Sequence, residues 1–354
     1  MDKLEEIIRK AAIRPYNLSV EELRYLIELT DEASRKKLAD AAYRLKCHYC
    51  GKLVSIRGLI EAGNVCAKDC CYCGIRRSNG KVKRYRLSED EIIRLAQWNA
   101  ANRYASLVIQ SGEIESEENT SFIEGCLNKI RHLNLGVTLS LGEQSEEAYR
   151  RWKEAGALRY LLRIETSNQE LYRQMHPADH SWERRCDCLR ILKKLGYLLG
   201  TGTMSALPGQ TSEDLARDIV FFRDIEADMI GMGPYIPHPD TPMGATAPAL
   251  PDEERMRIAL NMIAATRLYL HNVNIAATTA LQALAHDGRE RGILCGANVL
   301  MPNTTDVEYR RNYQLYAGKP CLDENAALCR NCLERRLNLI GEKINWGQLG
   351  DRQK

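Results

Sequence analysis

Short apolar runs alternate with amphipathic segments along most of the chain, beginning near residue 53. The segments between the runs carry helix signals, such as the capping box Ser88-x-x-Glu91 and the apolar stripe of Leu215, Ile219 and Phe222. Apolar runs and helices that alternate about eight times predict parallel strands joined by crossover helices. The runs expected to form strands are 54–61, 106–113, 136–143, 159–166, 198–207, 228–236, 274–281 and 296–303.

Eight such units in about 250 residues are the size of a (βα)8 TIM-type barrel, which is an α/β fold. We therefore predict a barrel over residues 51–303, with an open, doubly wound sheet as the alternative because residues 282–295 give only a weak helix signal. Residues 1–50 are expected to form a helical N-terminal extension, since a capping box there precedes an apolar stripe. Residues 304–354 are expected to form a C-terminal extension with cysteines of its own.

Polar side chains end many of the predicted strands. In a barrel of this type the C-terminal ends of the strands carry the chemistry. Any one of these residues alone would be interpreted as a solvated residue at a strand end. Because such residues recur at equivalent places, we predict that they line one shared opening of the barrel, its mouth. The residues are Glu61, Asn64, Ser111, Glu113, Ser140, Glu143, Glu165, Thr166, His238, Thr278, Thr279 and Asn303.

Composition and charge exclude several classes of protein. Of the 354 residues, 44% are hydrophobic and 27% are charged, which is typical of a folded domain rather than a disordered chain. No apolar run approaches the roughly 18 residues of a membrane span, and the N-terminus lacks the apolar core of a signal peptide. The net charge of +3 is too small to indicate nucleic-acid binding. The basic run at 76–86 fits either a solvated face or contact with an anionic ligand.

Thirteen cysteines are many for a chain without a secretion signal. Because the cytosol is reducing, we expect a cytoplasmic protein whose clustered cysteines bind metal or carry out redox chemistry. Cys66, Cys70 and Cys73 form a C-x3-C-x2-C motif directly after the first predicted strand. Three thiolates on a 4Fe–4S cube leave one iron open, and an open metal position indicates catalysis. The adjacent Cys71 is predicted to point away from the other three.

This motif, with an aromatic residue before its last cysteine, resembles that of the radical S-adenosylmethionine (SAM) enzymes. The resemblance implies that the three cysteines hold a 4Fe–4S cluster, and that an electron from it cleaves SAM to a 5′-deoxyadenosyl radical. It also implies which residues contact SAM. Ser111, Gly112 and Glu113 would receive the amino group of SAM, and Arg185 would pair with its carboxylate. Glu165 would bind the cosubstrate through its own carboxylate. The other implied contacts are Tyr72 in the motif and, lining the same pocket, Ser140, Met204 and Met229.

Residues from about 50 to 335 are similar in particular to the HydE-type maturases of FeFe-hydrogenase. The matching motifs include L-S-L-G-E (139–143), L-P-G-Q-T (207–211) and I-P-H-P-D-T-P (236–242). The resemblance implies a substrate of the Fe(CO)2(CN)–cysteine type, supplied by a HydG-type maturase, with the product passed to a HydF-type scaffold. Electrons would come from a flavodoxin or ferredoxin. The implied substrate cavity is lined by Thr138, Arg163, Thr278, Thr279, Met301, Tyr313 and Tyr316.

Two further groups of cysteines lie outside this motif. Cys321, Cys329 and Cys332 form C-x7-C-x2-C, a triple with which some members of the family bind a second iron–sulfur cluster. We predict such a cluster here, dispensable for the radical chemistry, with a structural site or free thiols as alternatives. Cys47 and Cys50 form a C-x2-C that is read as two free thiols, with a redox pair or half of a zinc ribbon as alternatives.

Two departures from the HydE pattern leave room for another substrate. Ile164 stands where these proteins usually carry His, and the spacing between Pro177 and Arg185 is one residue longer. One alternative function is therefore a radical mutase or sulfur-inserting enzyme acting on an organic substrate, of the methylornithine synthase or biotin synthase type. An alternative of another class is a non-catalytic iron–sulfur or metal carrier, which would not need the SAM contacts.

Overall fold

Eight parallel strands close into a barrel in the computed structural model, which describes residues 2–246 and 249–351. The strands follow the order β1-β2-β3-β4-β5-β7-β8-β9, and β9 pairs with β1 to close the ring. The predicted barrel is therefore confirmed, and the open sheet is excluded. The strands are β1 (Leu53–Gly63), β2 (Ser106–Ser111), β3 (Gly136–Ser140), β4 (Ala157–Leu161), β5 (Leu198–Thr201), β6 (Met204–Ser205), β7 (Met229–Pro234), β8 (Asn274–Ala277), β9 (Val299–Leu300) and β10 (Lys343–Ile344).

Helices occupy the intervals between the strands. The weak interval 282–295 holds the end of one short helix, Thr279–Leu284, and the whole of another, Gly288–Leu294, and the first begins earlier than the sequence predicts. Besides a 3-10 turn at Arg131–Leu133, the helices are α1 (Lys3–Ile13), α2 (Val20–Glu28), α3 (Glu32–Cys50), α4 (Glu89–Ala101), α5 (Glu117–Ile130), α6 (Glu146–Glu154), α7 (Gln169–Met175), α8 (Trp182–Lys194), α9 (Ser212–Asp224), α10 (Pro242–Thr246), α11 (Asp252–Leu270), α12 (Thr279–Leu284), α13 (Gly288–Leu294), α14 (Val307–Arg310) and α15 (Ala326–Leu339).

The first three helices pack against the outside of the barrel. Helix α2 lies on α9, and α3 lies on α11, so their apolar faces join the core between the barrel and its outer helices. The predicted capping boxes are both present: Ser19 with Glu22 starts α2, and Ser88 with Glu91 starts α4. These reciprocal bonds satisfy amide groups that the first helical turn leaves unpaired.

The C-terminal segment closes the amino-terminal end of the barrel. Strand β10 pairs in parallel with the start of β1. Beyond it, the carbonyl oxygen of Leu349 accepts a hydrogen bond from Ser106 Oγ at 2.8 Å, and that of Gly350 accepts one from Asn274 Nδ2 at 2.9 Å. Asp351 forms an ion pair with the buried Arg159. The tail is therefore part of the barrel's closure rather than a loose appendage.

A second part of the tail covers the opposite end of the barrel. Lys319 Nζ forms an ion pair with Glu61, a carboxylate near the C-terminal end of β1, and donates to the carbonyl oxygen of Tyr313 at 2.8 Å. Glu61 also accepts from Asn303 Nδ2 at 2.8 Å.

No helix among the described residues combines the length and apolar character that a bilayer crossing requires.

Candidate active site

The three motif cysteines lie in the loop that follows β1. Burial raises the pKa of all three thiols, that of Cys73 to about 12, and the neighbouring Cys73 raises that of Cys70 as well. The backbone N–H of Glu113 points at Cys66 Sγ, with nitrogen and sulfur 3.4 Å apart. Metal coordination removes the thiol protons, and an amide donor of this kind stabilises the resulting thiolate.

Cys71 faces away from this group. The charges near its thiol are those of Arg76 and Asp69 rather than those of the other cysteines. Its backbone is fixed on both sides, because its N–H donates to Met175 O at 2.9 Å and its carbonyl accepts from Met243 N at 3.0 Å. Cys71 is thus held apart from the thiols of the motif.

Two histidines brace the cysteine loop. His180 Nε2 accepts the N–H of Asp69 at 3.1 Å, and His176 Nε2 lies 3.3 Å from the hydroxyl of Tyr72. His176 also stacks on Tyr172, with ring centroids 3.9 Å apart. Burial lowers the pKa of both imidazoles, that of His176 to about 3, so both are neutral at physiological pH. Sequence reasoning missed this pair, for which the motif H-P-A-D-H is the available signal.

A buried network of charges joins the ends of β2 and β3 to the cysteine loop. Lys68 Nζ lies 3.3 Å from Glu113 and 3.1 Å from Glu143, and Arg185 Nε donates to Glu143 Oε1 at 2.6 Å. Burial raises the pKa of Glu113. Burial acts in the same direction on Glu143, but the charges of Arg185 and Lys68 lower its pKa overall. Lys68 and Glu143 were not among the predicted site residues, although Glu143 was noted as a polar strand end.

Gly112 is required by the close approach of this strand end to the cysteine loop. A Cβ atom there would lie 2.2 Å from the carbonyl oxygen of Val65 and 2.8 Å from Cys66 Cβ.

Arg185, expected at the carboxylate of SAM, has its Nε bound to Glu143 and donates from Nη1 to Arg163 O at 3.2 Å. Two of the nitrogens of Arg185 are therefore already hydrogen-bonded within the protein.

Several buried polar atoms at the barrel mouth have no hydrogen-bond partner among the described residues. Arg163 Nη2 lies 3.0 Å from Glu165 Oε2 as an ion pair, but neither atom has hydrogen-bond geometry, and Arg163 Nε is also without a partner. The hydroxyl of Ser205 also has no partner among the described residues, whereas that of Thr203 lies next to the buried Asp218. Glu165 has φ 67°, a left-handed conformation that is costly for a residue with a side chain. Strain and unpartnered polar atoms in one place indicate a site for a polar ligand.

The remaining predicted contacts lie around the same mouth. Ser111 Oγ donates to Gly112 O, Ser140 ends β3, and Met204 packs in a small apolar cluster that includes Tyr72. Two of the predicted substrate residues contact each other, since Thr279 Oγ1 lies 2.7 Å from the hydroxyl of Tyr316. Thr278 donates to Met232 O, and the hydroxyl of Tyr313 accepts from Gln110 Nε2. Met301 packs against the inner wall of the barrel.

Met229, which the resemblance assigns to the SAM pocket, stays a proposed contact. It is the first residue of β7, at the amino-terminal end of the barrel, and Arg57 Nη1 donates to its sulfur at 2.7 Å. Thr138, one layer below Ser140, lines the same small cavity of about 50 Å³ together with Arg159. The run 228–236 contains two methionines, and only the strand register decides their depth in the barrel.

The cysteines outside the motif separate into two groups. Cys321 and Cys329 lie near each other at the start of α15. Cys47 and Cys50 lie in the last turn of α3, where Cys50 Sγ accepts from Asn298 Nδ2 at 3.4 Å. In the described part of the chain neither of them joins a group of metal-ligand atoms, so they do not complete a zinc ribbon with the tail cysteines.

Asp218 supports the backbone that follows Glu165. It is fully buried, and its Oδ1 accepts the N–H of Ser167 at 2.6 Å. Burial raises its pKa to about 7. An acid with a raised pKa in the folded state stabilises the fold while protonated, so stability falls as pH rises from about 4 to about 7.

We expect Asp218→Asn to remove this pH dependence and to leave the variant about 2–4 kcal/mol more stable than the wild type above pH 7. The amide keeps the acceptor for Ser167 and can donate to the neighbouring Thr203 hydroxyl. Urea midpoints of both chains at pH 5 and pH 8 test this. The exposed Asp224→Asn should not alter the pH profile, and a wild-type stability that is equal at both pH values would contradict the prediction.

Comparisons with known proteins identify the family. The sequence profile of the Radical SAM superfamily matches residues 60–222. The chain is 42% identical over 344 residues to the [FeFe] hydrogenase maturase subunit HydE of Thermotoga maritima, covering 97% of this chain and 96% of that one. The chain belongs to the HydE family of radical SAM enzymes.

Solved structures agree with this HydE-family fold. The crystal structure of methylornithine synthase superposes over 97% of both chains with a TM-score of 0.79, at 22% identity. The FeFe-hydrogenase maturase HydG from Carboxydothermus hydrogenoformans gives a TM-score of 0.80 over 97% of this chain and 79% of that one, at 18% identity. At these identities the likeness supports the fold alone. Membership in the HydE family makes the chain an enzyme rather than a metal carrier.

The site fits the cofactors that radical SAM enzymes use, a 4Fe–4S cluster and SAM. The thiols of Cys66, Cys70 and Cys73 lie near enough to act on one another electrostatically, as ligands of one cluster must. The unpartnered atoms of Arg163, Glu165 and the nearby hydroxyls suit the charged and hydroxylated parts of SAM and of a second polar ligand.

Proposed function

We propose that this HydE-family enzyme acts on an Fe(CO)2(CN)–cysteine complex in the assembly of the diiron cofactor of FeFe-hydrogenase. The observation that carries the proposal is the 42% identity to a HydE subunit across 97% of the chain. The organic substrates of methylornithine synthase or biotin synthase remain the alternative, and no particular contact in the site favours them.

The cysteine loop is the proposed cluster site. Cys66, Cys70 and Cys73 would hold the 4Fe–4S cluster as thiolates, with the Glu113 amide donating to the first of them. In this superfamily the reduced cluster supplies the electron that cleaves SAM to a 5′-deoxyadenosyl radical. A second cluster at Cys321, Cys329 and Cys332 stays a prediction, and the proposed reaction does not need it because the loop alone leaves an open iron position.

The proposed SAM contacts surround this loop. Ser111, Gly112 and Glu113 bring carbonyl and carboxylate oxygens to the place where the methionyl ammonium would bind. Glu165 would contact the cosubstrate at the mouth, and the remaining donors of Arg185 would bind the SAM carboxylate, while Glu143 fixes the Nε edge of Arg185. The remaining proposed contacts are Tyr72, Ser140, Met204 and Met229.

The substrate would bind deeper in the mouth. Arg163 Nε has no hydrogen-bond partner among the described residues, and Nη2 is ion-paired with Glu165 without hydrogen-bond geometry, so this guanidinium suits a cyanide-bearing anion. Hydroxyls surround it and can donate to cyanide or carboxylate groups. Lys319, paired with Glu61, covers the opening and keeps water from the radical. The residues proposed to line the cavity are Thr138, Thr278, Thr279, Met301, Tyr313 and Tyr316.

Partners and location belong to the same proposal. A HydG-type maturase would deliver the iron complex, a HydF-type scaffold would receive the product, and a flavodoxin or ferredoxin would supply electrons. Arg77 and Lys83 are exposed cations next to the cysteine loop, which suits an acidic electron donor. The thirteen cysteines are all free thiols, in keeping with a cytoplasmic setting.

The test measures 5′-deoxyadenosine from the anaerobically reconstituted, reduced enzyme with SAM. We expect the Fe(CO)2(CN)–cysteine complex to raise its formation at least about tenfold, while substrates of the two organic alternatives do not. Arg163→Gln should abolish this stimulation, so that the variant forms the nucleoside at the same rate with and without the iron complex.

The control variant is Arg173→Gln, an exposed arginine whose ion pairs lie on the surface, and it should behave as the wild type. If an organic substrate stimulates cleavage and the iron complex does not, the maturase proposal is wrong. If no compound stimulates cleavage, the choice of substrate class is wrong although the radical SAM assignment stands.

A further inference from the structure

Two half-buried thiols lie one helical turn apart where α3 ends. Cys47 and Cys50 belong to the last turn of this helix, and both are partly exposed to solvent. Gly51 follows them with φ 67° and donates its N–H to Cys47 O at 3.0 Å, which stops the helix directly after the pair. Both thiols are therefore within reach of a small molecule in solution.

Cys50 lies next to a buried positive charge. Its sulfur accepts from Asn298 Nδ2 at 3.4 Å, and Asn298 Oδ1 accepts in turn from Arg267 Nη2 at 3.0 Å. Arg267 is fully buried, and its other donors are bound to backbone carbonyl oxygens. Among the described residues, Cys50 is the one group whose negative charge acts on this guanidinium. An amide donor and a nearby cation both stabilise a negatively charged sulfur, so Cys50 is well placed to react as a nucleophile.

Cys47 lies next to the opposite kind of charge. It is beside the hydroxyl of Tyr43, which donates to the buried carboxylate of Glu342 at 2.6 Å. The ammonium of Lys46, the residue before Cys47, is engaged by the same carboxylate. The two thiols therefore have different surroundings, which suit Cys50 as the attacking thiol and Cys47 as the resolving one.

The spacing of the two cysteines allows a disulfide only if the last turn of α3 changes. Residues three apart in a helix have Cα atoms about 5 Å apart, which lies in the range that disulfides accept. Their Cβ atoms are about 5–6 Å apart, whereas a disulfide needs about 3.5–4.5 Å. Because the helix ends at Cys50, this turn can unwind without breaking a longer helical run. A disulfide formed under such strain is easily reduced, as regulatory disulfides are.

The last turn of α3 is connected to the closure of the barrel. Asn298 Nδ2, which binds Cys50, also donates to Asn274 Oδ1 at 2.7 Å, and Asn274 Nδ2 donates to Gly350 O at 2.9 Å. The carbonyl oxygen two residues after Cys50 accepts the N–H of Lys343, in β10, at 3.0 Å. Unwinding this turn therefore weakens two contacts that hold the tail against the barrel.

We propose that Cys47 and Cys50 form a redox-active dithiol that low-molecular-mass disulfides oxidise, and that the resulting disulfide loosens the tail at the amino-terminal end of the barrel. The Cys50 thiolate attacks one sulfur of the small disulfide, whose S–S bond breaks and releases one thiolate. Cys47 then attacks the Cys50 sulfur of the mixed disulfide and releases the second thiolate. The two cysteine sulfurs lose two electrons, the small disulfide gains two, and the two thiol protons pass to the released thiolates. Reversible disulfides of this kind occur in reducing compartments.

The experiment follows one tryptic peptide of the full-length, cluster-reconstituted protein. Cleavage after Lys46 and Lys52 gives the peptide 47–52, which contains both cysteines and no others. The protein is equilibrated anaerobically with mixtures of reduced and oxidised glutathione, quenched in acid, alkylated and digested, and mass spectrometry separates the dialkylated peptide from the disulfide. We expect the disulfide to rise from below about 10% to above about 90% across the mixtures. A peptide that stays dialkylated in every mixture would overturn the proposal.

Two single-thiol variants test the different roles of the cysteines. In Cys47→Ser, Cys50 should form the mixed disulfide with glutathione at least about tenfold faster than Cys47 does in Cys50→Ser. In urea the two variants should react alike, because Asn298 and Arg267 no longer lie beside Cys50. Equal rates in the native chains contradict the assignment of Cys50 as the attacking thiol.

Proteolysis of the wild-type chain tests the connection to the tail. Chymotrypsin cleaves after aromatic residues, and Trp346 lies between β10 and the residues that close the barrel. We expect cleavage after Trp346 to be at least about tenfold faster in the oxidised chain than in the reduced one. Cys50→Ser, which cannot form the disulfide, should be cleaved at the same rate in every glutathione mixture. A tail that is cleaved equally fast in the oxidised and reduced wild type would overturn the connection.

Discussion

Replacing Cys70 by alanine is expected to reduce 5′-deoxyadenosine formation from SAM more than about 100-fold, to the level of a sample without enzyme. Cys70 lies between the other two cysteines of the motif, and burial together with Cys73 raises the pKa of its thiol, so the three groups share one buried site. Even residues that only support a metal ligand typically change activity 10–100-fold, and loss of a ligand costs at least as much. The measurement is the nucleoside formed per chain after anaerobic reconstitution and reduction.

Cys71→Ala is the matched control, because it removes a thiol of the same loop one position away. Its thiol faces Asp69 and Arg76, so this variant should keep its cluster and cleave SAM at close to the wild-type rate. Equal loss of activity in both variants would contradict the assignment of the site. Retained iron with no cleavage in the wild type, whatever the reductant, would contradict the radical chemistry itself.

Glu342→Gln is expected to cost about 3–5 kcal/mol of folding free energy, the largest stability effect predicted for this chain. Glu342 and its ion-pair partner Lys46 are both fully buried, and the Tyr43 hydroxyl also donates to Glu342, at 2.6 Å. Removing the carboxylate charge leaves the Lys46 ammonium buried without a counter-charge. The shift in urea midpoint of the metal-free chain at neutral pH measures the effect.

Two further variants separate this cause from a general loss of packing. The double variant Lys46→Met/Glu342→Leu removes both charges and should recover most of the lost stability, since apolar residues of similar volume can replace a buried pair. Asp40→Asn breaks the exposed ion pair between Lys36 and Asp40 and should change stability by less than about 0.5 kcal/mol. A Glu342→Gln midpoint equal to that of Asp40→Asn would show that the buried pair is not stabilising.

The order of the strands and the position of the cysteines were predictable because both depend on local patterns. Alternating apolar runs and helices repeat along the chain, and the motif at Cys66 follows the first of these runs directly. The depth of Met229 in the barrel was not accessible in the same way, because a run with methionines at both 229 and 232 does not reveal which end of the strand each occupies. That depth depends on the register between β7 and its neighbours β5 and β8.

The electrostatic part of the site was less accessible from sequence. Glu143 was noticed as a strand end, but its role as the anion shared by Lys68 and Arg185 depends on three loops meeting in space. The left-handed conformation of Glu165 has no signal in the sequence, since glutamate rarely adopts it. Lys46 and Glu342 are separated by 296 positions, and no local pattern links them.

The closure of β1 by the tail has a consequence for the order of biosynthesis. Strand β1, which leads into the cysteine loop, pairs at its start with β10 and at its side with β9, and both of these emerge from the ribosome late. A nascent chain that stalls before β9 therefore cannot close the ring of strands around its own cysteines. The wall that surrounds the cysteine loop thus depends on residues synthesised more than 200 positions after the cysteines themselves, and a shortened chain lacks part of it.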